Sequence, residues 1–521
     1  MKKLILFAFA SIAFTANSQV KQDYVDYYDR DSTHIRSEGQ YLNGVEFREW
    51  KFYYESGQLQ EMATFWDGIR HGENITYYLN GEKEFQGYFK RGYKDSTFLA
   101  WYNDGTPKIE GYYQLDLKDS TWKYYNPNGK IWKIENCDSG LVYIHELHDK
   151  NGKQIVKDGE GTLRYYFDSG DLKEESVIHE GLRDGKSTYW FEGGVKKMTG
   201  SYSHGKMDGQ WQFWYDNSQL WKIVTYAAGK LNGPFEEYYA DGSTKAKGDY
   251  KNDKKDGHWI WYRENGVKDQ EGDFLADQQH GKWIFYFENG NIDATGNYEY
   301  DLREGEWTYN YPEGELYRKG SYQKDVRQGL WTTWWENGEK LTEGEYKDGL
   351  EEGEWKAWYE TGKLKDQGEF SAGKMEGHWI GYFSNGNKNY EGDIHNDLRE
   401  GTWTFWFMDG KVRETGGYKE GKLHGNWEYY TAYGKMDSEG KYKDGVQDGT
   451  WKYYYPTGQL SREQTFSDGK LDGTYKAWYQ GGPIMTEANY SKGYKDGKWV
   501  SYTKEGRIEF EATYKKGERV K

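Results

Sequence analysis

Short runs rich in Trp, Tyr and Phe alternate with Lys, Glu, Thr and Gln along the chain, and each run is bounded by Gly, Asn-Gly or Asp-Gly. Alternation of period two predicts β-strands, and the glycine pairs between runs predict tight hairpins. The pattern recurs. Gly161, Gly185, Gly209 and each 24th residue onward to Gly497 are glycines. The same phase falls on Arg48, Gly72, Ser96 and Ser120, which makes 19 repeats. Counting +n from this anchor, a second Gly stands at +9 in 18 of the 19, with Ser218 the exception. Self-similarity at such a period marks a repeat architecture rather than separate globular domains. The expected fold is all-β: an elongated array of about 19 antiparallel hairpins of 24 residues, forming a twisted single-layer sheet.

A register follows if the Asn-Gly pairs (Asn265-Gly266, Asn289-Gly290, Asn337-Gly338) are two-residue type I′ turns, which need positive φ at both central residues. Positions summing to 17 then face one another. The +2 Trp meets the +15 Gly (Trp355 with Gly368), the +6 ring meets the +11 aliphatic (Tyr359 with Leu364), and Gly353 meets Phe370. Composition supports the pairing: +2 is aromatic in 16 of 19 repeats, +15 is Gly in 12, and +17 is Phe or Tyr in 16. These residues share one face. Indoles lying over cross-strand glycines make it the buried one.

The opposite face is polar apart from +5, aromatic in 18 of 19 repeats and broken only at Asn310. Stacked hairpins place these rings about 9–10 Å apart. The column serves either as cover for a thin sheet or as a ring ladder for an extended ligand, a glycan or a peptide. Six of its tryptophans, Trp190, Trp214, Trp334, Trp358, Trp406 and Trp478, are the candidate ligand-binding residues.

Composition and charge narrow the partners. With 67 Gly and 98 aromatic residues but a mean hydropathy of −1.12, the apolar surface comes from rings, which disordered chains lack. Residues 1–18 read as a secretory leader: Lys2-Lys3, an apolar run from Leu4 to Phe14, then small residues. Its removal takes the net charge from −16 to −18, which disfavours nucleic acid and anionic lipid. The chain is thus expected to be exported to the periplasm, cell surface or medium, with no membrane span. The remaining organisation is a partial capping repeat at 19–47, a first repeat block at 48–140, a shortened hairpin at 141–158, a second block at 159–514 and a tail at 515–521.

The segments Gly344-Glu-Tyr346-Lys-Asp-Gly349-Leu-Glu-Glu-Gly353-Glu-Trp355 and Gly416-Gly-Tyr418-Lys-Glu-Gly421-Lys-Leu-His-Gly425-Asn-Trp427 resemble the MORN repeat in its bacterial variant form. The resemblance covers roughly residues 24–521 and implies hairpins laid side by side. It further implies a scaffold with protein partners and no catalytic residue set. Many bacterial members are labelled antitoxins, so inhibition of an exported toxin is one alternative function. Glycan or cell-wall binding, as in choline- or glucan-binding hairpin repeats, is the other.

Catalytic chemistry is not evident. His71, His204, His258, His280, His378 and His424 sit beside turn glycines, where solvated turn residues explain them. His145-Glu-Leu-His148-Asp149 is a compact His/acid cluster, but in a strand an i, i+3 pair points to opposite faces, so no metal is expected. Cys137 occupies a +17 slot and reads as a buried thiol with no disulfide partner. Neither an enzyme nor a cofactor is expected.

Overall fold

The computed structural model describes residues 20–521 except Arg30 and Ser32. The leader at 1–18 lies outside the described residues. The chain is all-β, with 44 strands and, among the described residues, no helix. Successive strands pair antiparallel in hairpins, as the alternation implies. The contacts divide the chain into two units, residues 1–243 with 250–253, and residues 244–249 with 254–521. Each unit is an open sheet whose strands pair with their neighbours in sequence.

Within one hairpin the expected register holds through +4. Leu350–Trp358 pairs with Leu364–Ser371 as Gly353↔Phe370, Trp355↔Gly368 and Ala357↔Asp366. It then slips by one residue, so that Trp358 at +5, and not Tyr359 at +6, faces Leu364. The turn causes the slip. Tyr359 N–H donates to Lys363 O at 2.8 Å, Gly362 N–H donates to Tyr359 O at 2.9 Å, and Gly362 alone takes positive φ (77°). This is a three-residue loop closed by a left-handed glycine, not a type I′ turn. The type I′ turn lies at the other end of the repeat, where Asp348 (φ 52°) and Gly349 (φ 84°) join Lys347 to Leu350.

Asparagine at +8 therefore has a different purpose from the one the Asn-Gly pairs suggest. Asn337 Oδ1 accepts the Glu339 N–H at 3.0 Å, closing its own loop, and its Nδ2 donates to Glu360 O of the next repeat at 2.7 Å. Asn80, Asn217, Asn289 and Asn385 make the same 23-residue link. Tyrosines at +6 add a parallel one: Tyr359 Oη donates to Tyr382 O at 2.8 Å, and Tyr311, Tyr455 and Tyr479 do likewise.

The joint between hairpins is made by the anchor. Gly353 takes φ 69° in a bulge, because Glu343 pairs with Lys356 but Glu345 pairs with Glu352. Arg48 (φ 62°), Ser96 (φ 79°) and Ser120 (φ 59°) adopt the same left-handed conformation without glycine, which confirms the phase read through the N-terminal block. The bulge turns the +2 indole back onto the preceding hairpin. A Cβ added to Gly344 would lie 2.1 Å from Trp355 Cδ2, and one added to Gly368 would lie 2.1 Å from Trp379 Cδ2. Each indole thus covers the glycine eleven residues before it, rather than the one it faces within its own hairpin. In most repeats its Nε1–H donates to the carbonyl after that glycine, as from Trp307 to Asn297 O (3.1 Å) and Trp427 to Gly417 O (2.9 Å), while Trp379 donates to Glu376 O. Most of these tryptophans are almost fully buried, Trp211, Trp259, Trp283 and Trp403 among them.

Two further columns complete this face. Rings at +4 stack on the +2 indoles, as Tyr309 does on Trp307 and Tyr429 on Trp427. The +17 rings meet them edge-on, as in Tyr298–Trp307 and Tyr418–Trp427. Cations at +22 lie over the rings, Arg303 at 4.0 Å from the Tyr322 centroid and Arg399 at 4.7 Å from that of Trp403.

The segment 141–158 is the shortened hairpin the sequence suggests. Leu141–His148 leads into an Asp149–Lys153 turn with the same two hydrogen bonds as the regular loop, and the return strand Gln154–Lys157 has four residues instead of eight. The Glu180-Gly181 turn, which follows the strand Leu172–His179, fills the missing length, Ile144 N–H donating to Gly181 O at 2.8 Å. Indole over glycine gives way here to an aliphatic core of Leu147, Val156, Leu163 and Ile178. Just before it, Glu135 replaces the +15 glycine and is buried. Burial alone would raise its carboxyl, but hydrogen bonds and charge from Lys133 and Tyr124, with Lys118 nearby, hold it below the usual carboxylate range.

Candidate binding surface

The +5 column stands on the face opposite the buried indoles, because it is three residues from +2 along a strand. Trp190, Trp214, Trp334, Trp358, Trp406 and Trp478 are all half-buried. Two lie in the first unit and four in the second. Each ends its strand beside the three-residue loop and faces the +11 residue of its own hairpin, Lys340 for Trp334, Leu364 for Trp358 and Val412 for Trp406. Their backbone is held by the neighbouring repeat: the carbonyls of Trp334, Trp358 and Trp478 accept bonds from Tyr311 Oη, Trp335 Nε1 and Tyr455 Oη.

The rings are less bare than a sugar-stacking ladder requires. Lys196, Lys340 and Lys388, each at +11 of the preceding repeat, put their ammonium groups 5.8, 5.5 and 5.6 Å from the centroids of Trp214, Trp358 and Trp406. Lys340 and Lys388 are in turn paired with Glu343 (2.5 Å) and Glu391 (2.6 Å). At several +5 tyrosines the hydroxyl reaches the +14 carboxylate of the repeat before, as Tyr53 does Glu38, Tyr125 does Glu110 and Tyr454 does Glu439, whereas Tyr238 and Tyr430 donate to Glu236 and Glu428 of their own repeats. Burial first, and then the carboxylate, pushes the phenols of Tyr53, Tyr125 and Tyr454 up to about 12. In these repeats the surface combines ring, ammonium and carboxylate.

The other candidate groups stay apart. His145 lies 3.8 Å from Asp158, while His148 Nδ1 is buried without a hydrogen-bond partner. Among the described residues no group of three or more His, Cys, Asp or Glu is placed to hold a metal ion. Cys137 is buried, and burial together with the nearby Glu135 pushes its thiol up to about 11. Of the turn histidines, His258 and His378 lie against carboxylates, His378 between Asp393 (2.7 Å) and Glu391 (3.1 Å).

The repeated signature is glycine at the joint, an indole two residues on, and before it a two-residue turn whose second residue is Gly or Asp. Ten of the repeats match the MORN repeat variant. The matches fall at residues 49–67, 118–136, 207–228, 231–252, 279–300, 303–324, 327–348, 351–372, 447–468 and 495–516. The MORN-variant repeats therefore occur in both units. Several matched stretches run from just before a +2 indole to the first residue of the type I′ turn that follows it, as 303–324 and 351–372 do. No curated protein matches the chain. Solved structures similar to it include a TcdB2-TccC3-Cdc42 crystal structure (10% identity, TM-score 0.13, covering 92% of this chain and 28% of that one). Others are TcdB2-TccC3-TEV (11%, 0.12, 95% and 32%) and the Photorhabdus luminescens Tc holotoxin pore carrying TccC3-D651A (11%, 0.12, 94% and 31%). The chain spans about a third of the length of these chains. Among the described residues no helix is long and apolar enough to cross a membrane.

Proposed function

We propose that this protein is an exported, non-enzymatic repeat scaffold that presents an extended surface to protein partners. The observation that carries this reading is the recurrent joint. In most repeats indole over preceding glycine, turn to turn at 23 residues and bulge at the anchor use up the inward-facing chemistry in holding the next repeat. What remains outward is one pattern displayed many times, which suits a multivalent contact more than a single enclosed site. Capture with the purified chain from a cell-envelope extract tests it: retention of a defined protein is expected, and no retained protein would overturn it. Antitoxin-like inhibition is the special case in which that partner is an exported toxin.

A second reading rests on the +5 tryptophans, half-exposed and regularly spaced. In it Trp190, Trp214, Trp334, Trp358, Trp406 and Trp478 stack on a glycan or cell-wall polymer. Titration of the intrinsic fluorescence with peptidoglycan and soluble polysaccharides discriminates the two. No quenching, with binding unchanged in W334A, W358A and W406A, would sink the glycan reading.

A further inference from the structure

The stripe differs from one repeat to the next in a way that points to the chemistry of a partner. Lys340 lies over Trp358, but the corresponding residue before Trp334 is Leu316, and among the described residues no cation lies over the Trp334 ring. Around this ring the loops are acidic. Glu313, Glu336, Glu339 and Glu360 are exposed on three successive loops of the second unit, and among the described residues none of the four is in an ion pair. An indole beside free carboxylates is a site for a cation, attracted by the ring face and by the charge together. Lys340 over Trp358, paired with Glu343, shows the arrangement already filled from within the chain.

The spacing adds a constraint. Successive loops repeat every two strands, or about 9.4–9.8 Å. A polyproline II segment advances about 3.1 Å per residue with three residues per turn, so it repeats every 9.3 Å or so. A side chain at every third position of such a segment would meet one loop after another in step. We propose that Trp334 and the loop carboxylates Glu313, Glu336, Glu339 and Glu360 bind an extended lysine- or arginine-rich segment of a protein partner that carries a cation at every third residue. This inference rests on the scaffold reading and names the partner's chemistry.

The test is titration of the full chain with (Lys-Pro-Pro)5, followed by tryptophan fluorescence and calorimetry. Two controls accompany it: a peptide of the same composition with its five lysines contiguous, and (Glu-Pro-Pro)5. The spaced cationic peptide is expected to bind, to weaken as salt is raised, and to outbind the contiguous one at least fivefold. The triple variant E336Q/E339Q/E360Q should lose at least tenfold in affinity, and W334L about fivefold, with unchanged circular dichroism. Equal binding of the two lysine peptides, or unchanged affinity in the triple variant, would overturn the proposal. Envelope capture with wild type and the triple variant separates the two levels. A protein retained equally by both leaves the scaffold reading standing and removes this surface, whereas no retained protein removes the scaffold itself.

Discussion

The joint of indole over preceding glycine predicts that the two residues cannot be changed independently. A Cβ on Gly320 would lie 2.1 Å from Trp331 Cδ2, whereas carbon atoms settle at about 3.5–4.0 Å. In Gly320→Val the ring must therefore retreat by about 1.5 Å. Trp331 is only 3% exposed and its Nε1–H donates to Ser321 O at 3.2 Å, so the retreat breaks that bond and opens the core. Overpacking of about 1–3 kcal/mol plus about 1 kcal/mol for the hydrogen bond gives a local cost near 3 kcal/mol. The chain itself contains the compensated form, since Val224 stands opposite Phe235 at the same two positions. Gly320→Val combined with Trp331→Phe should thus fall close to Trp331→Phe alone, a coupling of about 3 kcal/mol. Native-state hydrogen exchange over residues 316–334 is the suitable assay, because a long array does not unfold in two states. Exchange about 100-fold faster in Gly320→Val, most of it recovered in the double variant, is expected. Strict additivity of the two substitutions would refute the joint as described.

Asp325 takes φ 67° where most repeats have glycine, and its carboxylate accepts the Arg303 N–H at 3.0 Å. Asp325→Gly should accordingly change stability by less than about 0.5 kcal/mol, and Asp325→Ala should cost about 1–2 kcal/mol, read by exchange at Arg303. The pKa of the His378 imidazole is raised by the hydrogen bonds it donates to Asp393 and then to Glu391. A folded pKa above the unfolded one gives stabilisation that is complete at low pH and is lost as pH rises through the folded value. An NMR midpoint above about 6.5, and a flatter local pH dependence in His378→Gln, are expected; a midpoint at or below that value would contradict the geometry. With its thiol pushed up to about 11, Cys137 should resist iodoacetamide at pH 8 and react once the chain is unfolded in guanidinium. Equal labelling of folded and unfolded chain would contradict its burial.

The hairpin phase, the buried indole column, the polar face carrying +5 and the trimmed hairpin at 141–158 were all legible in the sequence, because a period repeated 19 times averages out local exceptions. The turns were not. Asn-Gly suits both a type I′ turn and the second and third positions of a three-residue loop, and only the bond from Asn337 to Glu360 in the next repeat shows why asparagine is used. The one-residue slip at Trp358 follows from the same loop. Pairing within one hairpin also hid the partner of each indole, since Trp355 faces Gly368 but leans onto Gly344 through the bulge at Gly353. The +4 rings are less legible because eight of the 19 repeats, Ala357 and Gly381 among them, carry none at that position; at Gly381 the ring of Tyr390 takes the place instead. Of the candidate surface, the ring positions were readable. The lysines over them were not, because the +11 residue of one repeat covers the +5 residue of the next.

Each indole belongs to a later residue than the glycine it seals, with Trp331 arriving eleven positions after Gly320. The array is therefore directional in time as well as in space. As the chain leaves the ribosome or a translocation pore, every new hairpin brings its own plug to a seat that has already emerged. None has to wait for a distant segment. Because the plug and the seat recur at 24 residues, an in-frame duplication or loss of one period leaves every joint with its two halves, so the gene can lengthen or shorten the protein without inventing a new interface.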